Sequence, residues 1–104
     1  MEWINLTYYN VAKLKEGCLV IRDKYKGRKI LANNIVYFRL KNGWTQEDLA
    51  EVLETTPTYV SELENAKRDS RIDFITKISH KFDVPLTELF EERKIITNRR
   101  IKKK

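Results

Sequence analysis

Residues able to do acid–base, nucleophilic or metal chemistry are few in this sequence and badly arranged for it. His80 sits between Ser79 and Lys81, with no thiol or carboxylate arrangement to work with, and reads as an exposed, inert imidazole. Cys18 is the sole cysteine, so no internal disulfide can form, and a lone thiol fits a reducing cytoplasm. One His and one Cys also fall short of a zinc ligand set. The carboxylate pairs Glu47/Glu51 and Glu91/Glu92 read as solvated helix faces, and no P-loop, dinucleotide fingerprint or HExxH occurs. The chain is therefore read as a non-enzyme, with no catalytic residue, metal or cofactor. What remains is a chemistry of hydrogen bonds and charge.

The charge is unevenly placed. A formal net charge of +6 invites nucleic acid or an anionic membrane surface. Yet residues 35–90 hold seven bases against ten acids, a net of −3, whereas residues 1–34 carry +4 and residues 91–104 carry +5. Attraction for phosphate must then come from a few placed residues and from the flanks. At 104 residues, a hydrophobic fraction of 41% supports one modest core and no more. No apolar run approaches the ~20 residues of a membrane span. Residues 1–10 lack the basic and apolar blocks of a signal peptide. A cytoplasmic protein with no membrane partner is expected, and no small-molecule ligand is evident.

The stretch that must position the working side chains is residues 45–65. Thr45 is a good N-cap, with Asp48 three residues on, a carboxylate near the positive end of the helix dipole. Leu49, Ala50 and Leu53 then recur at helical spacing. Thr55-Thr56-Pro57 stops that helix and starts another, with Thr56 as cap and Pro57 at the first position, where a missing N–H costs nothing. Val60 and Leu63 give the second helix its inward stripe. Two helices, over about residues 46–53 and 57–65, joined by a turn of about four residues and with small Ala50 where they approach, make a helix-turn-helix. Before them, residues 29–42 read as a helix with Ile30, Leu31, Ile35, Phe38 and Leu40 apolar, stopped by Gly43. After them, a polar loop over residues 66–71 leads to a helix over residues 73–82 with Ile75, Ile78 and Phe82 inward. Asp83-Val84-Pro85 then turns into a short helix over residues 86–92 that packs Leu89 and Phe90.

Residues 35–90 resemble the lambda-repressor and Cro-like helix-turn-helix regulators, also called the xenobiotic-response-element type. The resemblance rests on Arg39-Leu40, on the run from Gly43-Trp44-Thr45-Gln46 through Glu47-Asp48-Leu49-Ala50, and on the Val60/Leu63 pair. It extends over Leu63-Glu64-Asn65 with Lys67-Arg68, and over Val84-Pro85-Leu86-Thr87-Glu88-Leu89-Phe90, in the family's order and spacing. It implies an all-α, five-helix domain that binds double-stranded DNA, of bacterial or phage type, and a homodimer is expected because one short helix with three or four base contacts reads too few bases. The family usually has glycine where this chain has Glu54, Ala66 and Asp83. Glycine suits a left-handed residue after a helix, where a Cβ costs roughly 1–2 kcal/mol. Either these residues accept that conformation or the turns are rebuilt.

Matching positions imply roles. Pro57, Thr58, Ser61 and Glu62 are expected to face the bases from the second helix of the motif, lying in the major groove. Thr58 can meet a thymine methyl or a base acceptor, Ser61 a base or a phosphate, and Glu62 the amino group of cytosine. Gln46 opens the first helix of the motif, where free N–H groups and the dipole favour a phosphate that its amide can reach. Lys67, Arg68 and Arg71 lie in the loop that the family sets along the DNA backbone. Tyr59 either touches that backbone or wedges against the preceding helix. Arg39 and Glu64 are expected to pair as a structural salt bridge, of more use for orientation than for net stability.

The ends lie outside the resemblance. Residues 1–28 read as an extension, with Ile4, Tyr8, Val11 and Leu14 along one face of a helix, Gly17 after it, and Cys18-Leu19-Val20-Ile21 as a short apolar run suited to strand or helix. It is either a further packing element or an arm for DNA or the dimer. Residues 29–92 form the domain, and residues 93–104 a basic tail in which Arg99, Arg100 and Lys102–Lys104 read as a flexible cluster. A rival reading, a protein-interaction module such as an antitoxin or anti-regulator on the same scaffold, draws on the acidic core and on Glu62.

Overall fold

The computed structural model of the chain describes residues 24–100. The readings of residues 1–23 and of Lys102–Lys104 lie outside them. Five helices and no strand occur among the described residues: α1 (Lys26–Lys41), α2 (Gln46–Val52), α3 (Pro57–Glu64), α4 (Ile72–Phe82) and α5 (Leu86–Leu89). α1 packs against α3 and α5, α2 lies on α3, and α4 on α5.

Local chemistry sets most of the boundaries. At the start of α2, Thr45 Oγ1 accepts from the Asp48 N–H at 3.1 Å while the Thr45 N–H donates to Asp48 Oδ2 at 2.9 Å, a reciprocal capping box. At the start of α3, Thr56 Oγ1 accepts from the Tyr59 N–H at 3.1 Å, with Pro57 in the first turn. α1 starts at Lys26 rather than Lys29, after a Tyr25 that makes no side-chain cap, so no sequence signal marks the boundary.

Four helices end alike. After α1, the Gly43 N–H donates to Leu40 O and the Trp44 N–H to Arg39 O, both at 3.0 Å. The same two bonds recur after α2 at Glu54 and Thr55, after α3 at Ala66 and Lys67, and after α4 at Asp83 and Val84. Each motif needs one left-handed residue. Gly43 (φ 72°) supplies it once; Glu54 (58°), Ala66 (59°) and Asp83 (57°) supply it in the other three. The family's turns are thus kept rather than rebuilt, at the cost of a Cβ in an unfavourable conformation.

The core draws Leu31, Ile35 and Phe38 from α1, Leu49, Ala50 and Leu53 from α2 and its cap, and Val60 and Leu63 from α3. Ile75, Ile78 and Phe82 of α4 and Leu89 of α5 complete it. The Phe82 ring lies 5.6 Å from Phe38 and 5.8 Å from Trp44, tying the end of α4 to the α1–α2 corner. Two expectations need correction. α5 ends at Leu89 instead of continuing to residue 92, and Phe90 is exposed where packing was expected. A helix of four residues has a single apolar face to bury, and Leu89 fills it.

α1 is buried throughout residues 31–36, including Asn33 and Asn34. Asn34 Nδ2 donates to Leu89 O (2.7 Å) and Glu91 O (2.8 Å), and its Oδ1 accepts from Arg93 Nη1 (2.6 Å). Asn33 Nδ2 donates to Lys94 O at 3.1 Å, and its Oδ1 accepts from the Ile96 N–H at 2.9 Å. Two adjacent asparagines thereby bind the backbone of residues 91–96 along α1, as a strap leading back from α5.

Candidate nucleic-acid interface

α3 divides cleanly by face. Val60 and Leu63 point into the core, and Glu64 is fully buried. Pro57 and Thr58 are exposed, with Ser61 and Glu62 half-buried one turn later, so the four share the outer face that helical spacing dictates. The turn from α2 to α3 is fixed at both ends, by the left-handed Glu54 and by the Thr56 cap.

Beneath that face lies a buried ion pair. Arg39 Nε donates to Glu64 Oε2 at 2.6 Å and Arg39 Nη2 to Glu64 Oε1 at 3.1 Å, with the two side chains 2% and 0% exposed. The remaining hydrogen bonds are also made. Arg39 Nη1 donates to Trp44 O (2.9 Å), Arg39 Nη2 to Arg99 O (2.8 Å), and Gln46 Nε2 to Glu64 Oε1 (2.9 Å). Two charges are tolerated in a dry site because they are paired and their other groups are bonded. The set links α1, the first residue of α2, the last of α3 and the strap, so it holds the two helices of the motif in one orientation.

The other expected contacts fall into two groups. Lys67 and Arg71 are exposed in the loop after α3. Tyr59, Glu62 and Arg68 instead form a cluster: Arg68 Nε donates to Glu62 Oε1 at 2.7 Å, and its guanidinium lies 4.8 Å from the centre of the Tyr59 ring. Tyr59 in turn meets Phe74 of α4 edge-on at 5.4 Å and packs, half-buried, against the core. The hydrogen bond that Arg68 donates to Glu62 holds its guanidinium still more firmly in its charged form. Lys77 reaches back to Glu54 at 3.1 Å and keeps that carboxyl below the usual carboxylate range.

Sequence reasoning missed Arg99. Its Nη1 donates to Glu64 O at 2.7 Å and its carbonyl accepts from Arg39, although it stands 35 residues from the one and 60 from the other. It is therefore no part of a flexible cluster, and only the tertiary fold reveals it. Arg99 and exposed Arg100 border a cleft of about 570 Å³, together with Arg39, Thr45, Gln46, Glu47 and Pro57, beside the outer face of α3. His80 is exposed on the far part of α4, and no three His, Cys, Asp or Glu side chains converge on a metal position among the described residues.

The helix-turn-helix family profile matches residues 35–89, which contain α2, α3, α4, α5 and the C-terminal part of α1. The chain belongs to the lambda-repressor/Cro-like helix-turn-helix family. That family is one of DNA-binding regulators of transcription, and relatives agree with the placement. A hypothetical transcription factor of Neisseria meningitidis serogroup B is 32% identical over 80 residues, covering 73% of this chain and 76% of the relative. The crystal structure of the hypothetical transcription factor NHTF from Neisseria superposes with a TM-score of 0.61 at 30% identity, over 69% of this chain and 83% of that one. The restriction-modification controller protein C.AhdI of Aeromonas hydrophila gives 0.61 at 26% identity, over 66% of this chain and all of the other. The clp gene regulator ClgR of Corynebacterium glutamicum gives 0.56 at 26%, over 60% and 80%. No described helix of this family member is long and apolar enough to cross a membrane.

Proposed function

We propose that this helix-turn-helix protein is a sequence-specific regulator that reads a two-fold DNA operator as a homodimer, with α3 in the major groove. The observation that carries the reading is the outer face of α3. Pro57, Thr58, Ser61 and Glu62 are presented together on a helix whose orientation is fixed from below by the Arg39–Glu64 pair. Thr58 and Ser61 are suited to base edges, while Lys67 and Arg71 grip the backbone. Gln46 also reaches a phosphate: its amide nitrogen carries two hydrogens, and Glu64 takes only one. Glu62 is neutralised by Arg68, which lowers its repulsion of phosphate.

One short helix with three or four base contacts reads too few base pairs for an operator, and pairing doubles the footprint. Leu86 in α5 and Phe90 directly after it support a dimer seam at this end of the domain, since both are exposed apolar side chains.

The test is selection of bound sequences from random duplex DNA, followed by measurement of mass in solution with and without the selected site. A two-fold consensus bound by a dimer is expected. Thr58→Ala should then cost about 1–3 kcal/mol on that site and little on unrelated DNA. Enrichment of no sequence, or binding that ignores salt, overturns the reading, because phosphate contacts must weaken steeply as salt rises.

A further inference from the structure

The outer face of α3 carries a neutral pair. Helical spacing sets Thr58 and Glu62 four residues apart on one line along the outside of the helix. The chain then turns back through the left-handed Ala66, and Arg68 Nε donates to Glu62 Oε1 at 2.7 Å. The Arg68 guanidinium also lies 4.8 Å from the centre of the Tyr59 ring, and Phe74 braces that ring edge-on at 5.4 Å. Two side chains that are 49% and 37% exposed are thus held in a defined place. Their bond uses one nitrogen and one oxygen. Among the described residues, Glu62 Oε2 accepts no hydrogen bond and neither Arg68 Nη group donates one. What faces outward is an acceptor beside a planar fork of donors.

A phosphate needs only a charge near it, which exposed Lys67 and Arg71 supply. An arginine fork fixed by a carboxylate and a ring is suited instead to two acceptors at a set spacing, and guanine offers them at O6 and N7. The cytosine paired with it offers its N4 amino group as a donor, which a carboxylate oxygen accepts. We propose that Glu62 and Arg68 together read one C·G base pair in the major groove, with Glu62 Oε2 accepting from cytosine and the Arg68 Nη groups donating to guanine. Whatever base pair Glu62 reaches, Arg68 reaches too, because one hydrogen bond joins them. This rests on the reading of α3 as the groove helix, and it adds a residue from the loop after α3 and the kind of base pair that the two take. The groove pattern also sets an order of preference. A·T with adenine toward Glu62 keeps a donor and an acceptor in place and ranks second, while G·C and T·A reverse the pattern and rank last.

The test uses the full chain on its selected operator, on the three other base pairs at each operator position, and on random duplex. One position in each half-site should prefer C·G over G·C and T·A by about five- to 150-fold. Replacing Glu62 and Arg68 together by Ala removes the pair without changing the net charge. That variant should lose this preference, keep the discrimination due to Thr58, and bind random duplex as the wild type does. Glu62→Gln should turn the same position toward A·T, since a glutamine amide matches adenine N6 and N7. An exposed ion pair contributes little to stability, so these variants stay folded, which a thermal melt verifies. A double variant that keeps every base preference of the wild type, with Thr58→Ala still discriminating between sites, would overturn the paired reader and leave the groove reading standing. Arg68→Ala that weakens all sites by one factor and relaxes no position would also overturn it, since Arg68 would then be a backbone contact. Wild-type protein that enriches no sequence sinks both.

Discussion

Ala66→Gly should make this protein more stable, although it deletes a methyl group and loosens the unfolded chain. Ala66 follows α3 with φ 59° and has no side-chain hydrogen bond that could compensate. A Cβ in that region costs roughly 1–2 kcal/mol, all of which glycine returns. Against this stand about 0.4–1 kcal/mol of added unfolded-state entropy and about 0.4 kcal/mol for half a buried methyl. The balance is a gain of about 0.5 kcal/mol, or about 2–4 °C in melting temperature for a domain of this size. Urea unfolding and a thermal melt measure it directly. Ala50→Gly is the control: Ala50 is helical and 1% exposed, so glycine there must destabilise by about 1 kcal/mol or more. Ala66→Asn should fall near wild type, since asparagine tolerates the left-handed region better than most residues. If Ala66→Gly loses as much as Ala50→Gly, the turn is not strained and the reasoning fails.

Three further outcomes are expected. Arg39→Ala or Glu64→Ala alone should cost about 3–5 kcal/mol by stranding a buried charge, while the double variant should lose much less than the sum; additive losses in denaturant unfolding would remove the pair as a unit. Replacing Lys67 and Arg68 together by Ala should flatten the salt slope for all sequences by up to about 2 units, whereas Glu62→Gln, which frees Arg68, should tighten binding to random DNA; an unchanged slope would turn that loop away from the duplex. Asn34→Leu should cost about 2–4 kcal/mol, because Leu89 O and Glu91 O lose buried partners, and a near-neutral melt would show that the strap is not held there.

The motif was legible because its signals are local. Thr45 with Asp48, and Thr56 with Pro57, each settle a helix start within four residues, and the apolar positions of α2 to α4 recur at helical spacing. α1 was harder. Its period marks Leu31, Ile35 and Phe38, but its other side is closed by Asn33 and Asn34, on which apolar spacing is silent. Their partners lie 55 to 63 residues away and, apart from the Arg93 guanidinium, are backbone groups, which carry no sequence signature. Gln46 shows a related limit: its place at a helix start points to phosphate, yet one of its amide hydrogens is turned inward to Glu64. Phe90 was overvalued because its apolar side chain follows a helix too short to bury both it and Leu89.

The strap also gives the protein a schedule. Asn34 is fully buried, and its acceptors belong to Leu89 and Glu91, so a chain growing on a ribosome exposes this amide before the groups that will satisfy it exist. At about 5–20 residues per second, the 55 residues between Asn34 and Leu89 take roughly 3–11 s to add. Arg39 waits longer still for the carbonyl of Arg99, 60 residues on. During that interval the helices of the reading head can form, but the clamp that fixes their angle is incomplete. A nascent chain therefore completes the clamp on α2 and α3 only after Arg99 has been added.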